Sequence, residues 1–379
     1  MSRRPLLALL AAVLASAALT TGASAGRPFQ VGITDDTTVF SNPTKAFETM
    51  KALRVQVVRV TLWWGGSNAV ATRRPKDPTN PADPAYDWSR YDPIVELAKK
   101  NKIQVLFSIM WTPRWANGGK LPKVAPKNVN DLRNFAIAAA KRYSGTFKPA
   151  GSDTPLPPVR EWLVWNEPNN PVFLYPQYRK VGRNRYTPLA AYNYARMCNA
   201  VYGGIHSLGL SGEKVACGAT DPRGNNQPAS YRPAISPLAF LRAVKHYGLR
   251  TFDAWAHHPY AGSPSESPTK PPRAKTSVTL GNIGDLISEL TRLYGKKPVW
   301  ITEYGYQTSP PDRFFGVSWK KQAQYLAQAF SIAQKNPRIQ MMVWFLIKDE
   351  RSLAGWQSGF YTASGKRKPS YTAFQRLRH

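Results

Sequence analysis

Trp162-Leu163-Val164-Trp165-Asn166-Glu167-Pro168-Asn169 runs from four apolar residues straight into a polar tetrad. So short an apolar run, closed off by Asn and Pro, reads as a strand buried on both faces, with the tetrad as the loop at its C-terminal end. The same transition recurs at Val299-Trp300-Ile301-Thr302-Glu303-Tyr304-Gly305. Comparable apolar runs lie at 29–33, 55–62, 103–110, 214–219, 252–256 and 341–346, which makes eight. Helical patterns separate them at 45–53, 93–100, 129–143, 188–208, 237–246, 283–293 and 319–334, with a short one near 371–377. Several of these stop close to Gly or Asn, as helix ends do.

Mostly apolar strands alternating with helices predict a parallel sheet covered on its outside, and eight such units predict a closed barrel. The expected fold class is α/β: a (β/α)8 TIM barrel, one domain with extended βα loops. An open doubly wound sheet is the alternative, but the first strand lacks a glycine-rich phosphate-binding turn and no nucleotide motif occurs elsewhere. The polar stretches 69–87, 221–236 and 261–275 follow strand ends and read as excursions over the C-terminal face, not as linkers.

Hydrophobic residues make up 42% of the 379-residue chain and aromatics 12%, with 33 Pro and 26 Gly spread throughout. That excludes a mainly disordered, collagenous or coiled-coil chain. One apolar stretch, 5–19, stands outside the core pattern; Arg3 and Arg4 precede it and Ala23-Ser24-Ala25 follow. Residues 1–25 therefore read as a secretory signal with a small-x-small cleavage site, leaving 26–379 as the working domain of a secreted, extracellular protein. The alternative, an uncleaved membrane anchor, needs a longer apolar run. No integral membrane association is expected, and a monomer is the default.

Lys and Arg number 52 against 22 Asp and Glu, a net charge of +30. Such a field favours anionic partners: an acidic polysaccharide, the cell envelope or nucleic acid. The basic residues are scattered, however, the tightest late run being Lys366-Arg367-Lys368, and no nucleic-acid module accompanies them, so nucleic acid is not expected as a partner. The only two cysteines, Cys198 and Cys217, could form a disulfide in an exported protein or remain separate thiols; neither case suggests redox chemistry.

Glu167 and Glu303 each end an apolar strand, and in a barrel both strand ends lie on one face, so the two carboxylates can share a pocket. The bland alternative is two surface carboxylates that merely terminate their strands. Paired carboxylates commonly bind metal or cleave glycosides. Magnesium or calcium sites recruit several oxygen ligands, whereas the neighbours here are Trp, Asn, Tyr and His, so sugar cleavage fits better and neither metal nor cofactor is expected.

Asn166-Glu167-Pro168 at the fourth strand and Thr302-Glu303-Tyr304-Gly305 at the seventh resemble the clan of retaining (β/α)8 glycoside hydrolases, close to the cellulase-like family 5 and to family 39. The resemblance runs from Val31 to Trp344. It implies Glu167 as acid/base, Glu303 as nucleophile and Asn166 as a contact to the 2-hydroxyl of the sugar at the cleavage point. Arg59, inside an otherwise apolar second strand, resembles the clan arginine that steadies the nucleophile; an outward structural salt bridge is the alternative. His257-His258-Pro259-Tyr260 ends the sixth strand, where the clan often places a histidine and a tyrosine. Tyr260 is expected against Glu303, and His258 is preferred to His257 because strand alternation gives it Tyr260's direction.

Sugars present flat apolar faces, so aromatic platforms are expected around the site. Trp63, Trp64, Trp111, Trp115, Trp165 and Trp344 all fall near strand C-termini, with Trp111 a candidate for binding substrate. Trp344 resembles the clan's platform beneath the scissile sugar. The expected protein is thus a secreted retaining glycoside hydrolase that cleaves the O-glycosidic bonds of its carbohydrate substrate, a poly- or oligosaccharide, by double displacement with two glutamates. The rival is a non-catalytic carbohydrate-binding or cell-envelope protein on the same scaffold, which would have no need of both glutamates.

Overall fold

The computed structural model describes residues 29–377; the segment read as a secretory signal, 1–25, lies outside the described residues. The strands in chain order are β1 (Gln30–Thr34), β2 (Val57–Trp63), β3 (Gln104–Met110), β4 (Glu161–Val164), β5 (Arg179–Gly182), β6 (Arg185–Thr187), β7 (Lys214–Thr220), β8 (Ala254–His257), β9 (Val299–Tyr304) and β10 (Ile339–Phe345). Eight of them close into a parallel barrel in the order β1-β10-β9-β8-β7-β4-β3-β2, which is a single (β/α)8 domain. The remaining pair, β5 and β6, forms an antiparallel hairpin after β4 that the apolar pattern does not announce. Its residues are largely exposed and polar, so hydrophobic alternation leaves no trace of it.

The helices are α1 (Asp36–Ser41), α2 (Pro43–Ala52), α3 (Asp92–Lys100), α4 (Arg114–Asn117), α5 (Val129–Arg142), α6 (Leu189–His206), α7 (Pro237–His246), α8 (Ile283–Tyr294), α9 (Trp319–Lys335) and α10 (Pro369–Gln375). Local chemistry sets their ends. Asp35, Asn42, Asn128 and Ser318 each accept a backbone N–H in the first turn of the helix that follows. Basic residues close α3 (Lys99, Lys100) and α5 (Lys141, Arg142), where the helix dipole favours them. Among the described residues no helix is long and apolar enough to cross a membrane.

Strand alternation sorts the core into two layers. Val57, Leu106, Leu163, Ala216, Ala219, Ala254, Ala256, Trp300, Met341 and Val343 point inward and fill the barrel. Their neighbours, among them Val58, Val60, Phe107, Trp162, Cys217, Trp255, Ile301, Met342 and Trp344, point outward and pack beneath the helices. A bond between Cys198 of α6 and Cys217 of β7 crosses this outer layer.

Two irregularities break the alternation where it matters. Between Ile301 and Tyr304, β9 takes three steps while β10 takes two, from Met342 to Trp344. A second bulge takes β7 from Cys217 to Thr220 while β8 goes from Trp255 to His257. Gly218 sits in it with φ +102°, and a Cβ there would stand 2.5 Å from the Ala256 carbonyl oxygen. An extra residue in one strand re-aims the side chains beyond it. Both bulges lie near the C-terminal rim of the barrel.

Candidate active site

Glu303 lies in the β9 bulge. Strict alternation would send it outward, opposite to Thr302; with the extra residue both reach the barrel mouth. Glu167 lies just beyond β4 with φ +38°, and Trp111, Trp165 and Ala219, also at strand ends, have φ +65°, +69° and +48°. Such left-handed backbone costs on the order of 1–3 kcal/mol per residue and gathers at functional rims. A carboxylate oxygen of Glu167, one of Glu303 and a ring nitrogen of His258 all lie within 4.8 Å of one another.

Arg59 points into the barrel from β2, in the same alternation phase as Val57, and joins the two motifs. Its Nη1 donates to a Glu303 carboxylate oxygen and, at 3.2 Å, to the Thr302 carbonyl. Its Nη2 donates to Asn166 Oδ1 at 2.7 Å, which leaves the Asn166 amide hydrogens for a ligand. Tyr260 Oη donates to Glu303 Oε2 at 3.2 Å. His258 Nδ1 lies 3.0 Å from Glu167 Oε1 and 3.7 Å from Glu303 Oε2, with Nε2 3.0 Å from Thr302 Oγ1. His257 faces away, held between Thr220 Oγ1 and the Val278 carbonyl. Of the adjacent histidines, then, His258 meets the carboxylates. It is fully buried and lies behind the carboxylates, not in the cavity wall.

The two carboxyls are held in opposite states. Burial raises Glu167 well above the ordinary carboxylate value, and the nearby charges of Asp221 and Glu303 raise it further. Burial alone would raise Glu303 too, but the His258 ring, the Arg59 guanidinium and the Tyr260 hydroxyl together hold it below that value. Burial pushes His258 down to about 3, so the ring is charged, and adds its attraction for Glu303, only in acid; at neutral pH it is uncharged and the Arg59 guanidinium carries the compensating positive charge. The site therefore presents a protonated acid beside an ionised carboxylate, an arrangement suited to proton donation and nucleophilic attack on one substrate.

The set Glu167, His258 and Glu303 has the residue types of a metal site. It suits a cation poorly, because Arg59 already donates to Glu303 and its fixed positive charge would repel the ion.

Around the pair opens a cavity of about 590 Å³, lined by Arg59, Trp63, Trp111, Asn166, Glu167, Asn170, Phe173, Asp221, Arg223, Arg232, Tyr260, Glu303, Phe345 and Trp356, among others. Trp63 and Trp111 stack with ring centroids 6.3 Å apart. Trp344 is absent from this wall. It is fully buried beside Phe360 in the outer layer, with Nε1 donating to the Ser358 carbonyl at 3.0 Å, so the residue expected as a platform does not face the cavity; its neighbour Phe345 does. Alternation explains the swap: Met341, Val343 and Phe345 share the inward phase and Trp344 the outward one. Burying an indole of roughly 150–250 Å² is worth about 4–6 kcal/mol, which favours the core position for the larger ring. Trp64 and Trp165 are likewise fully buried, and Trp115 packs against Arg74 and Trp64.

The excursions at 221–236 and 261–275 contribute Arg223, Arg232, Ala261 and Ser263 to this cavity and an adjoining recess. The stretch 69–87 does not reach the cavity; it closes on itself through bonds from Tyr86 Oη to the Pro78 carbonyl and Trp88 Nε1 to the Pro81 carbonyl. Sequence reasoning missed Asp221, Asn170, Phe345 and Trp356. Asp221 directly follows a strand end, the rule that picked out the glutamates, and Asn170 adjoins the Asn-Glu-Pro motif. Asn170 Nδ2 donates to Asp221 Oδ2 at 2.9 Å and to Glu167 Oε2 at 3.3 Å. Trp356, in a loop far along the chain, carries no sequence signal.

Residues 250–373 match the family model described as the glycosyl hydrolase catalytic core, a span that holds His258, Tyr260, Glu303, Phe345 and Trp356. No curated protein sequence matches the chain. Among solved structures, a family 39 glycoside hydrolase from the gut symbiont Bacteroides cellulosilyticus WH2 superposes with a TM-score of 0.61 at 18% identity, covering 92% of this chain but only 63% of that one. One of two fungal β-1,4-galactanases gives 0.59 at 17%, covering 92% and 99%. A GH5_18 protein from Streptomyces cattleya, solved with GlcNAc, gives 0.54 at 14%, covering 92% and 79%. At these identities the likeness is one of fold.

Proposed function

We propose that the protein is a glycoside hydrolase that cleaves O-glycosidic bonds with retention, by double displacement. The observation that carries this reading is the pair Glu167 and Glu303, with oxygens within 4.8 Å and their protonation states pushed apart. Retaining enzymes hold their carboxyls about 5–5.5 Å apart, whereas inverting ones leave about 6.5–9.5 Å for a water, so the spacing favours retention. The glycosyl hydrolase match over 250–373 supports the reaction class.

In this mechanism Glu167 gives its proton to the glycosidic oxygen as the bond to the anomeric carbon breaks, and the Glu303 carboxylate bonds to that carbon from the opposite face. Arg59 and Tyr260 hold Glu303 ionised and aimed. Glu167, now ionised, takes a proton from a water that displaces Glu303 from the glycosyl ester and restores both groups. Asn166, its oxygen fixed by Arg59, points its amide hydrogens toward the 2-hydroxyl of the bound sugar. Trp63, Trp111 and Phe345 supply apolar faces for sugar rings. The substrate is a β-linked poly- or oligosaccharide, and the leader-like segment 1–25 supports export to the extracellular space.

The test is hydrolysis of a panel of polysaccharides and aryl glycosides, with proton NMR of the first-formed anomer. Glu167→Gln and Glu303→Gln should each lower kcat about 10²-fold or more, and the wild-type product should keep the substrate's anomeric configuration. An inverted first product would overturn the double displacement. Activity surviving in both variants would overturn the assignment of the pair.

A further inference from the structure

The cavity walls differ in chemistry. One side is the stacked Trp63 and Trp111, continued by a recess of about 340 Å³. On the other stand Arg223 and Arg232, from the loop after β7, which line the catalytic cavity and both adjoining recesses of about 480 and 540 Å³.

A charge inventory of that side leaves one cation over. Arg59 is matched by Glu303. Arg223 Nε lies 3.9 Å from Asp221 Oδ1, a loose pair, and the same oxygen accepts the Arg223 backbone N–H. Glu167 is uncharged while it holds its proton. Asp312, in the wall of the larger recess, is buried and accepts the backbone N–H groups of Phe314 and Phe315. Among the described residues the Arg232 guanidinium has neither an ion pair nor a side-chain hydrogen bond, although it opens onto all three spaces.

Resting on the glycosidase reading, we infer that the substrate is an anionic glycan whose carboxylate or sulfate is bound by Arg232, with Arg223 beside it, on the leaving-group side of the scissile bond. The side follows from Glu167. Asn170 donates to both Glu167 and Asp221, and Asp221 lies beside Arg223, so these arginines stand on the acid's side of the pair; the acid is next to the oxygen that departs, so a sugar reaching them belongs to the leaving group. A guanidinium fork matches the paired oxygens of a carboxylate or sulfate, and the net charge of +30 draws such chains toward the protein.

The full chain is assayed on a uronate-bearing β-glycan beside its carboxyl-reduced form, and on a sulfated galactan beside its desulfated form, each at low and at physiological salt. One charged glycan should be turned over with a kcat/KM about tenfold above its neutral counterpart. Which pair shows the preference tells carboxylate from sulfate. Arg232→Ala should cut that ratio about tenfold, Arg232→Lys should keep part of it, and added salt should erode it. Equal turnover of charged and neutral forms, or a ratio unmoved in Arg232→Ala, overturns the inference and leaves the glycosidase reading standing. Should no glycan be cleaved, the glycosidase reading fails, and affinity electrophoresis decides the subsite alone. Retention of Glu167→Gln by a charged glycan, weakened by adding Arg232→Ala, upholds it, and no retention overturns it.

Discussion

Glu167 and Glu303 are the same residue type, with carboxylate oxygens within 4.8 Å of each other, yet their surroundings give them opposite links to stability. Burial first, then Asp221 and Glu303, raises Glu167 above its unfolded value of 4.5, so between the unfolded and folded values the native state holds a proton that the unfolded chain has lost. Stability from this group is full below 4.5 and declines as the pH rises through the folded value. Glu303 has the reverse sign: against burial, His258, Arg59 and Tyr260 lower it, so its contribution is present above the unfolded value of 4.5 and lost as the pH falls through the folded one. At pH 7 Glu167→Gln should therefore raise Tm and Glu303→Gln should lower it. Both differences should shrink toward acid pH in thermal melts recorded as a pH series. Much of this residue-level arrangement is legible in sequence, because a glutamate ending an apolar strand is visible in a one-dimensional pattern. Asp221, which sets part of the Glu167 shift, ends its strand in the same way but lacks a flanking motif. Phe345, and not the expected Trp344, reaches the cavity for one reason, the alternation phase of β10, which the unbroken apolar run 341–346 does not reveal.

At the scale of elements, the loop after β10 is anchored from two sides. Asp35, at the end of β1, accepts the backbone N–H groups of Ile347 and Lys348. Lys368, just before α10, donates to Asp349, Thr308 and the Gln357 carbonyl, and both members of the Lys368–Asp349 pair are fully buried. In sequence Lys368 belongs to a basic run that reads as solvated surface; the fold turns it inward to pin the loop that carries Trp356 to the cavity. Removing one member of a buried pair costs about 3–5 kcal/mol, whereas replacing both by apolar residues of similar volume is close to neutral. Lys368→Met should thus lower Tm by on the order of 5 °C or more and raise KM through the displaced Trp356 wall. Adding Asp349→Leu should recover most of the Tm, and calorimetry with kinetics on the same preparations checks both effects. The bulges in β7 and β9 belong to this scale too. Neither is announced by composition, since each depends on a register shared with a neighbouring strand.

Over the whole molecule, eight strands arrive in an order that a closed parallel barrel satisfies, and the Cys198–Cys217 bond links α6 to β7 across 19 positions of sequence. A loop of that size is worth about 3 kcal/mol in the chain-entropy account. Cys198→Ser with Cys217→Ser should lower Tm, and a reductant should do the same to the wild type and nothing to the variant. A disulfide of this kind also suits the oxidising compartment that the proposed export implies. The sequence alone determined the eight barrel strands and the main helices between them, the barrel, and the two glutamates at strand ends, because hydrophobic period and strand-end chemistry are local and survive in one dimension. Only the tertiary structure decided which face each rim residue takes, that Glu303 turns inward, that Phe345 and not Trp344 meets the cavity, and that Arg223 and Arg232 line the same cavity as Glu167. Those outcomes depend on inter-strand register, bulges and loop packing, which are relations between segments far apart in the chain.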